Sequence, residues 1–194
     1  GARWLAVENT LEALRIACEE GAAGVEFDVQ QTRDGELVLF HDDTLEAFAG
    51  REDRVADLDW RELRDLSLHD RHGRVGRIPH LDDVVELLAD KSGLINLELK
   101  VVADNGAALT EAVVGALHRA QLPPWLLSSF DRAAMTRLAQ CDVTLARGLL
   151  IDDDSACDWW AATMLDRGDD ALAQAAEDVG GHLRAVHPHG RLAT

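Results

Sequence analysis

The stretch Gly24-Val-Glu-Phe-Asp-Val-Gln-Gln31 constrains this chain more than any other. In an extended strand successive side chains point to opposite faces, so Val25, Phe27 and Val29 share one face while Glu26, Asp28 and Gln30 share the other. A pair of carboxylates on a strand is ordinary where that face meets water, as on a solvated edge. Here helix signals flank the strand, which points to a sheet covered by helices and to acids that face an interior. Like charges held a few ångströms apart in a confined place repel strongly unless a cation neutralises them. An oxygen-liganded divalent metal is therefore the simplest reading.

Upstream, Asn9-Thr-Leu-Glu12 offers a helix N-cap at Asn9 with an acid three residues on. Leu11, Leu14 and Cys18 fall on one helical face, and Gly21 suits the stop. Downstream, Thr32-Arg-Asp-Gly35 leads to an apolar strand over 36–42, and Asp34-Gly35 is a hairpin signal. A two-residue turn would set Asp28 opposite His41 on a shared face. A parallel return would be short and without a helix, whereas such crossovers normally take about a dozen residues or more. Either path brings His41 near the acids.

Residues 43–79 are polar and dense in Asp, Arg and His, with one short helix over 60–66 capped by Asp59. They read as an inserted lobe laid over the end of the sheet. The rest alternates: helix 81–88, strand 94–100, helix 107–120, strand 125–129, helix 132–140, strand 144–151, helices 156–165 and 170–179, and strand 183–187. On strand 94–100, Asn96, Glu98 and Lys100 oppose Ile95, Leu97 and Leu99, so a second acid-bearing inward face joins the first.

At 194 residues and 47% hydrophobic content, the chain suits a single domain over 1–194 with a substantial core. A formal charge of -17 repels polyanions, which argues against nucleic acid or an anionic membrane as partner. A small anionic substrate would need local cations. Cys18, Cys141 and Cys157 have neither paired nor metal-type spacing, as expected of free thiols in a reducing compartment. No apolar run approaches the roughly 18 residues of a membrane span, and no leader pattern is present. The expected location is cytoplasmic, although a chain opening on Gly rather than Met leaves an upstream targeting segment open. Oligomeric state is not legible.

Six strands with mostly intervening helices point to an α/β fold, either a doubly wound sheet or a TIM (β/α)8-type barrel. No G-x-G-x-x-G follows a strand, which argues against the dinucleotide-binding form. Barrels carry their chemistry at the carboxyl ends of strands, where Glu26, Asp28, His41, Glu98, Lys100 and Ser129 fall.

In this order the motifs resemble those of the glycerophosphodiester phosphodiesterase family, along the whole chain. Gly1-Ala-Arg-Trp-Leu-Ala-Val-Glu-Asn-Thr10 matches the family's opening from the glycine of its His-Arg-Gly to its Glu-Asn-Thr. Glu26-Phe-Asp-Val29, Gln31-Thr-Arg-Asp-Gly35, His41-Asp42, Ile78-Pro-His-Leu81, Asn96-Leu-Glu-Leu-Lys100 and Ser129-Phe-Asp131 follow in sequence. Each is weak alone, but the ordered set is specific. The resemblance implies a TIM-type barrel with Glu26, Asp28 and Glu98 as ligands of a divalent cation (magnesium, calcium or manganese). It implies His41 as one of two catalytic histidines and Lys100 as a phosphate contact. The implied reaction is hydrolysis of a small-molecule glycerophosphodiester to glycerol 3-phosphate and an alcohol, with the glycerol hydroxyl attacking first to give a cyclic phosphate.

Three departures accompany the match. The family's leading His-Arg would precede Gly1, its last helix, eighth strand and Trp-Thr motif would follow Thr194, and Val7 stands where the family usually has Pro. On this reading the chain holds barrel strands two to seven. Such a piece would carry unpaired backbone on the outer sides of the second and seventh strands and would tend to associate.

Plainer roles are open to several residues. Glu98 and Lys100 suit a structural ion pair, and His41 a strand-end cap. His69, His72, His80, His118 and His182 read as surface residues, while His187 and His189 flank Pro188 at a strand end. Ser129 suits a helix cap or a backbone bond better than a nucleophile. Asp152 to Asp154 read as a solvated helix start, and only one of Trp159 and Trp160 can face a core. Two other functions stay open: a phospholipase D-like phosphodiesterase on lysophospholipids, against which the lack of an apolar loop or basic patch counts, and a non-catalytic cation-binding barrel fragment.

Overall fold

The computed structural model describes residues 2–91, 93–102, 104–120, 125–142 and 144–151, and the backbone of 183–188. Helix α1 (Leu11–Glu19) precedes the acid-bearing strand β1 (Gly24–Gln31), which turns back into β2 (Leu37–Leu39). Residues 43–79 hold α2 (Glu46–Ala49), a 3-10 turn at Val55–Asp57, α3 (Trp60–Leu63) and a small hairpin of β3 (Ser67–His69) and β4 (Val75–Arg77). Then come α4 (Leu81–Leu88), β5 (Leu94–Leu99), α5 (Gly106–Ala120), β6 (Leu126–Ser129), α6 (Arg132–Cys141), β7 (Ala146–Ile151) and β8 (Leu183–Pro188).

The main sheet has the order β2-β1-β5-β6-β7-β8. All neighbours are parallel except β1 and β2. Helices α4, α5 and α6 lead into β5, β6 and β7, and no pairing closes the sheet among the described residues, so the arrangement is an incomplete (β/α) barrel. The hairpin alternative for 24–42 is the one observed, which leaves five strands in the parallel series. The parallel strands bury Phe27, Val29, Leu97, Leu99 and Leu127 against Leu14 of α1, Val84 of α4 and Val113 of α5. Phe27 meets Trp125 edge to face, with ring centroids 5.9 Å apart.

The hairpin register departs from a two-residue turn. Thr32 N–H donates to Glu36 O at 2.9 Å, leaving a three-residue loop that ends on Gly35 at φ +90°, the left-handed conformation that glycine adopts without strain. The Thr32 hydroxyl stabilises the loop by donating to Asp34 Oδ1 and accepting from Glu36 N–H. The extra residue moves the pairing by one, so Phe40 rather than His41 faces Asp28, its N–H reaching Asp28 O at 3.2 Å. His41 leaves the ladder instead of sitting within a longer strand.

Two other expectations shift. Thr10, not Asn9, caps α1, accepting from Ala13 N–H at 3.2 Å. The buried face becomes Ala13, Leu14 and Ala17, and Leu11 is exposed. The outer side of β1, expected to be bare, is paired with β2 over residues 29–31. The polar-looking 43–79 segment rests on an apolar base: Leu45, Val55, Leu58, Leu63, Leu68 and Ile78 pack with Val7, Val38 and Phe40. Its elements are too short to show a period in sequence. Cys18 and Cys141 are free thiols. The expected helices 156–165 and 170–179, the Asp152–Asp154 run, Cys157, Trp159, Trp160, His182 and His189 lie outside the described residues.

Close approach of β1 and β5 requires a residue without Cβ at position 24. A Cβ on Gly24 would lie 2.4 Å from the Leu94 carbonyl oxygen, and sheet backbone cannot move aside independently. Gly24→Ala is expected to destabilise the fold by about 1–3 kcal/mol, read as a lower urea midpoint with unchanged m-value; an unaltered midpoint contradicts the packing.

Candidate active site

Register brings the acids together. β1 and β5 run parallel with Glu26 opposite Asn96 and Asp28 opposite Glu98. One carboxylate oxygen from each of Glu26, Asp28 and Glu98 lies within 4.8 Å of the others. Asp28 and Glu98 are buried, while Glu26 has an open side. Asp28 is clamped at two points by Asn9: the Asn9 amide donates to Asp28 Oδ2 at 2.8 Å, and Asn9 Oδ1 accepts from the Asp28 N–H at 3.0 Å. Reaching Asp28 puts Asn9 at φ +52°, a conformation that Asn tolerates better than most residues. This role explains why the helix cap passes to Thr10.

The other oxygen of Asp28, Oδ1, is buried without a hydrogen-bond partner among the described residues. Burial, and then the charge of Asp28, push Glu26 and Glu98 up to about 7. Lys100 works the other way on Glu98, its Nζ 4.0 Å from Glu98 Oε1. An orphaned carboxylate oxygen among mutually repelling acids is the donor set that suits a hard divalent cation, so the residues present fit one.

His41 stands beside this cluster. Its Nδ1 lies 2.7 Å from Asp42 Oδ1. Burial disfavours the charged ring, but the Asp42 bond and the charge of Asp28 outweigh it and raise His41 above its ordinary value. Gln30 holds the backbone of this turn, donating from Nε2 to the carbonyls of Phe40 at 3.0 Å and Asp42 at 2.8 Å. His41, Glu98, Lys100 and Ser129 line a cleft of about 540 Å³. Thus the structure gathers Glu26, Asp28, Glu98, Lys100 and His41 in one place despite the register change.

Asn9 and Gln30 are the positioning residues that sequence reasoning missed. The alternation placed Gln30 on the acid face, but its reach to residues 40–42 follows from the hairpin register alone. Asn9 was visible only as part of the Glu-Asn-Thr motif. Ser129 is structural, donating to Leu99 O and accepting from Asp131 N–H, while Asp131 caps α6. His80 is more than a surface residue: it caps α4, bonds Glu36 at 2.9 Å and lies against Trp60. His118 pairs with Asp142 at 2.8 Å.

A carboxylate cluster on adjacent parallel strands, buried at Asp28 and Glu98 and open at Glu26, with an imidazole and an ammonium at its rim, defines the acid-lined site of a TIM-type α/β protein. Residues 1–182 match the Glycerophosphoryl diester phosphodiesterase family, and the chain belongs to it. It is 33% identical over 147 residues to a glycerophosphodiester phosphodiesterase of Caldanaerobacter subterraneus subsp. tengcongensis, covering 74% of this chain and 60% of that protein. A glycerophosphodiester phosphodiesterase of Bacillus altitudinis is 34% identical over 134 residues, covering 66% of this chain and 54% of that protein. The chain thus spans a little over half the length of these relatives. In fold it resembles an Oleispira antarctica phosphodiesterase solved in complex with the product sn-glycerol-3-phosphate, with a TM-score of 0.75 at 24% identity over 97% of this chain and 90% of that one. It also resembles a Thermotoga maritima glycerophosphodiester phosphodiesterase, with a TM-score of 0.68 at 22% identity over 97% of this chain and 91% of the other.

Two outcomes follow from the site's electrostatics and clamp. In metal-free protein, Glu26 and Glu98 hold protons in the folded state up to about 7 that they lose in the unfolded chain above the ordinary carboxylate value of 4.5. Stability should therefore fall as pH rises from about 4.5 to about 7, because the folded state binds more protons across that window. Asp70 and Asp142, held at about 2, titrate outside it. Urea midpoints in chelator across this range measure the slope, and a flat profile contradicts it. Asn9→Ala is expected to weaken divalent-cation affinity by about 10- to 100-fold in calorimetric titration.

Proposed function

We propose that, in the whole protein, this site hydrolyses small glycerophosphodiesters to glycerol 3-phosphate and an alcohol with the help of a divalent cation. The observation that carries the reading is the convergence of Glu26, Asp28 and Glu98 around an unpartnered buried oxygen, within 4.8 Å of one another, beside His41 and Lys100. Family membership supports the choice of a phosphodiester as substrate. Glu26, Asp28 and Glu98 would hold the cation, which supplies positive charge for a phosphoryl oxygen where three bare carboxylates would repel it.

Lys100 lines the cleft and places a point charge for a second phosphate oxygen. Its 4.0 Å spacing from Glu98 is a loose ion pair that leaves the ammonium free to bond a substrate. Asp42 occupies Nδ1 of His41, so Nε2 is the nitrogen that exchanges protons with substrate. Stabilised in its charged form, His41 suits the acid role, giving a proton to the departing alcohol oxygen. Gln30 fixes the turn that aims it.

The test is glycerol 3-phosphate release by the whole protein. Glu26→Ala, Glu98→Ala and chelator should each abolish measurable turnover, and His41→Ala should lower it by about 10²- to 10⁴-fold. Activity that survives both the Glu26 change and chelation rejects the reading. Lys100→Ala should raise KM and lower kcat together, since the phosphate is held in ground and transition states alike and its charge grows between them.

A further inference from the structure

A second cleft, of about 490 Å³, opens between the N-terminal segment and the tip of the β3–β4 hairpin, where Arg3, Trp4, Phe48, Arg71 and Arg74 line it and Asp42 forms part of its wall. Asp42 faces this cleft while its partner His41 faces the one that holds Glu98 and Lys100, so the two clefts share the His41–Asp42 pair as a common wall. A phosphodiester has two organic arms, and the second cleft adjoins the first across this wall. Arg3 and Arg71 are far apart in sequence. Arg74 joins the two segments by donating to Arg3 O at 2.8 Å, and Gly76 packs tightly on Val7 and Thr10.

Charge pairing distinguishes two arginines of this cleft from most others in the chain. In a chain of net charge -17, arginines find acids readily: Arg15, Arg33, Arg51, Arg54, Arg74 and Arg137 each meet a carboxylate. Arg3 and Arg71 have no carboxylate partner among the described residues. The Arg3 guanidinium lies over the Trp4 ring at 5.5 Å, and Arg71 Nε donates to His72 at 3.2 Å. Of the acids on the cleft, Asp70 is taken up by Arg74 and two backbone N–H groups, and Asp42 by His41. Glu8 lines the cleft as well, on the side toward Glu26, to whose repulsion it adds. Because Arg3 already covers a face of Trp4, that face is closed to a quaternary ammonium.

Unpaired guanidiniums on a shared cleft are forks for phosphate or carboxylate. We propose that this cleft binds a second anionic group, a phosphate or a carboxylate, carried on the alcohol arm of the diester. The proposal rests on the first cleft being the diester site.

Bis(glycerophospho)glycerol, whose arm bears a second phosphate, and the neutral-armed glycerophosphoglycerol are the probes. The whole protein, metal-loaded, should favour the former in kcat/KM, and Arg71→Ala or Arg3→Ala should each reduce that ratio about tenfold. Arg71→Glu should invert it, and Arg64→Ala, outside the cleft's lining, should leave it unchanged. Turnover of both diesters with no preference, or equal losses on both in Arg71→Ala, overturns the proposal while leaving the catalytic reading intact. If neither diester is hydrolysed, calorimetry in chelator decides: tighter binding of the anionic diester that Arg71→Ala erases upholds the cleft as the catalytic reading falls, and equal binding rejects the cleft.

Discussion

The pairing of β1 with β5 is the constraint on which the site depends. Parallel neighbours in register put Asp28 against Glu98 and Glu26 against Asn96, and the pleat sends these side chains to one face. A shift of one residue would replace the acids with Phe27 and Leu97 and turn the carboxylates into the apolar layer. Burial of Phe27, Val29, Leu97 and Leu99 on the opposite face makes such a slip costly, so the hydrophobic core and the charged cluster enforce the same register. The charges themselves oppose folding of the metal-free chain. The apolar face holds them together against that repulsion.

Much of this was legible in sequence because period-two alternation survives in a short window. The strands at 24–31 and 94–100, and the helix at 81–88, appear within a residue of their expected places because each carries its own pattern. The turn after Gln31 was not legible at that resolution. Asp34-Gly35 permits two- and three-residue loops alike, and the choice rests on the local bonds of Thr32 to Asp34 and Glu36 and on Arg33, whose partners Leu58, Asp59 and Glu62 lie more than twenty residues on. Likewise the clamp from Asn9 and the meeting of Arg3 with the β3–β4 hairpin depend on tertiary packing that no local pattern encodes.

The 43–79 segment shows how a polar stretch can be structural on one side and available on the other. Its apolar residues are spent on the base with Val38 and Phe40, on the face of β2 that the main core does not use. That leaves its charged residues at the rim, where Asp42 and the hairpin arginines border the cleft. The segment and the turn bearing His41 therefore share one support, and packing beneath Phe40 bears on both.

The residues that hold the cluster in place, Asn9 behind Asp28 and Gln30 behind the His41 turn, are both carboxamides. Neither gains nor loses a proton in the biological range. The frame behind the acids and the imidazole therefore contains no titrating side chain of its own, and its hydrogen bonds persist whatever charge the groups in front of it carry.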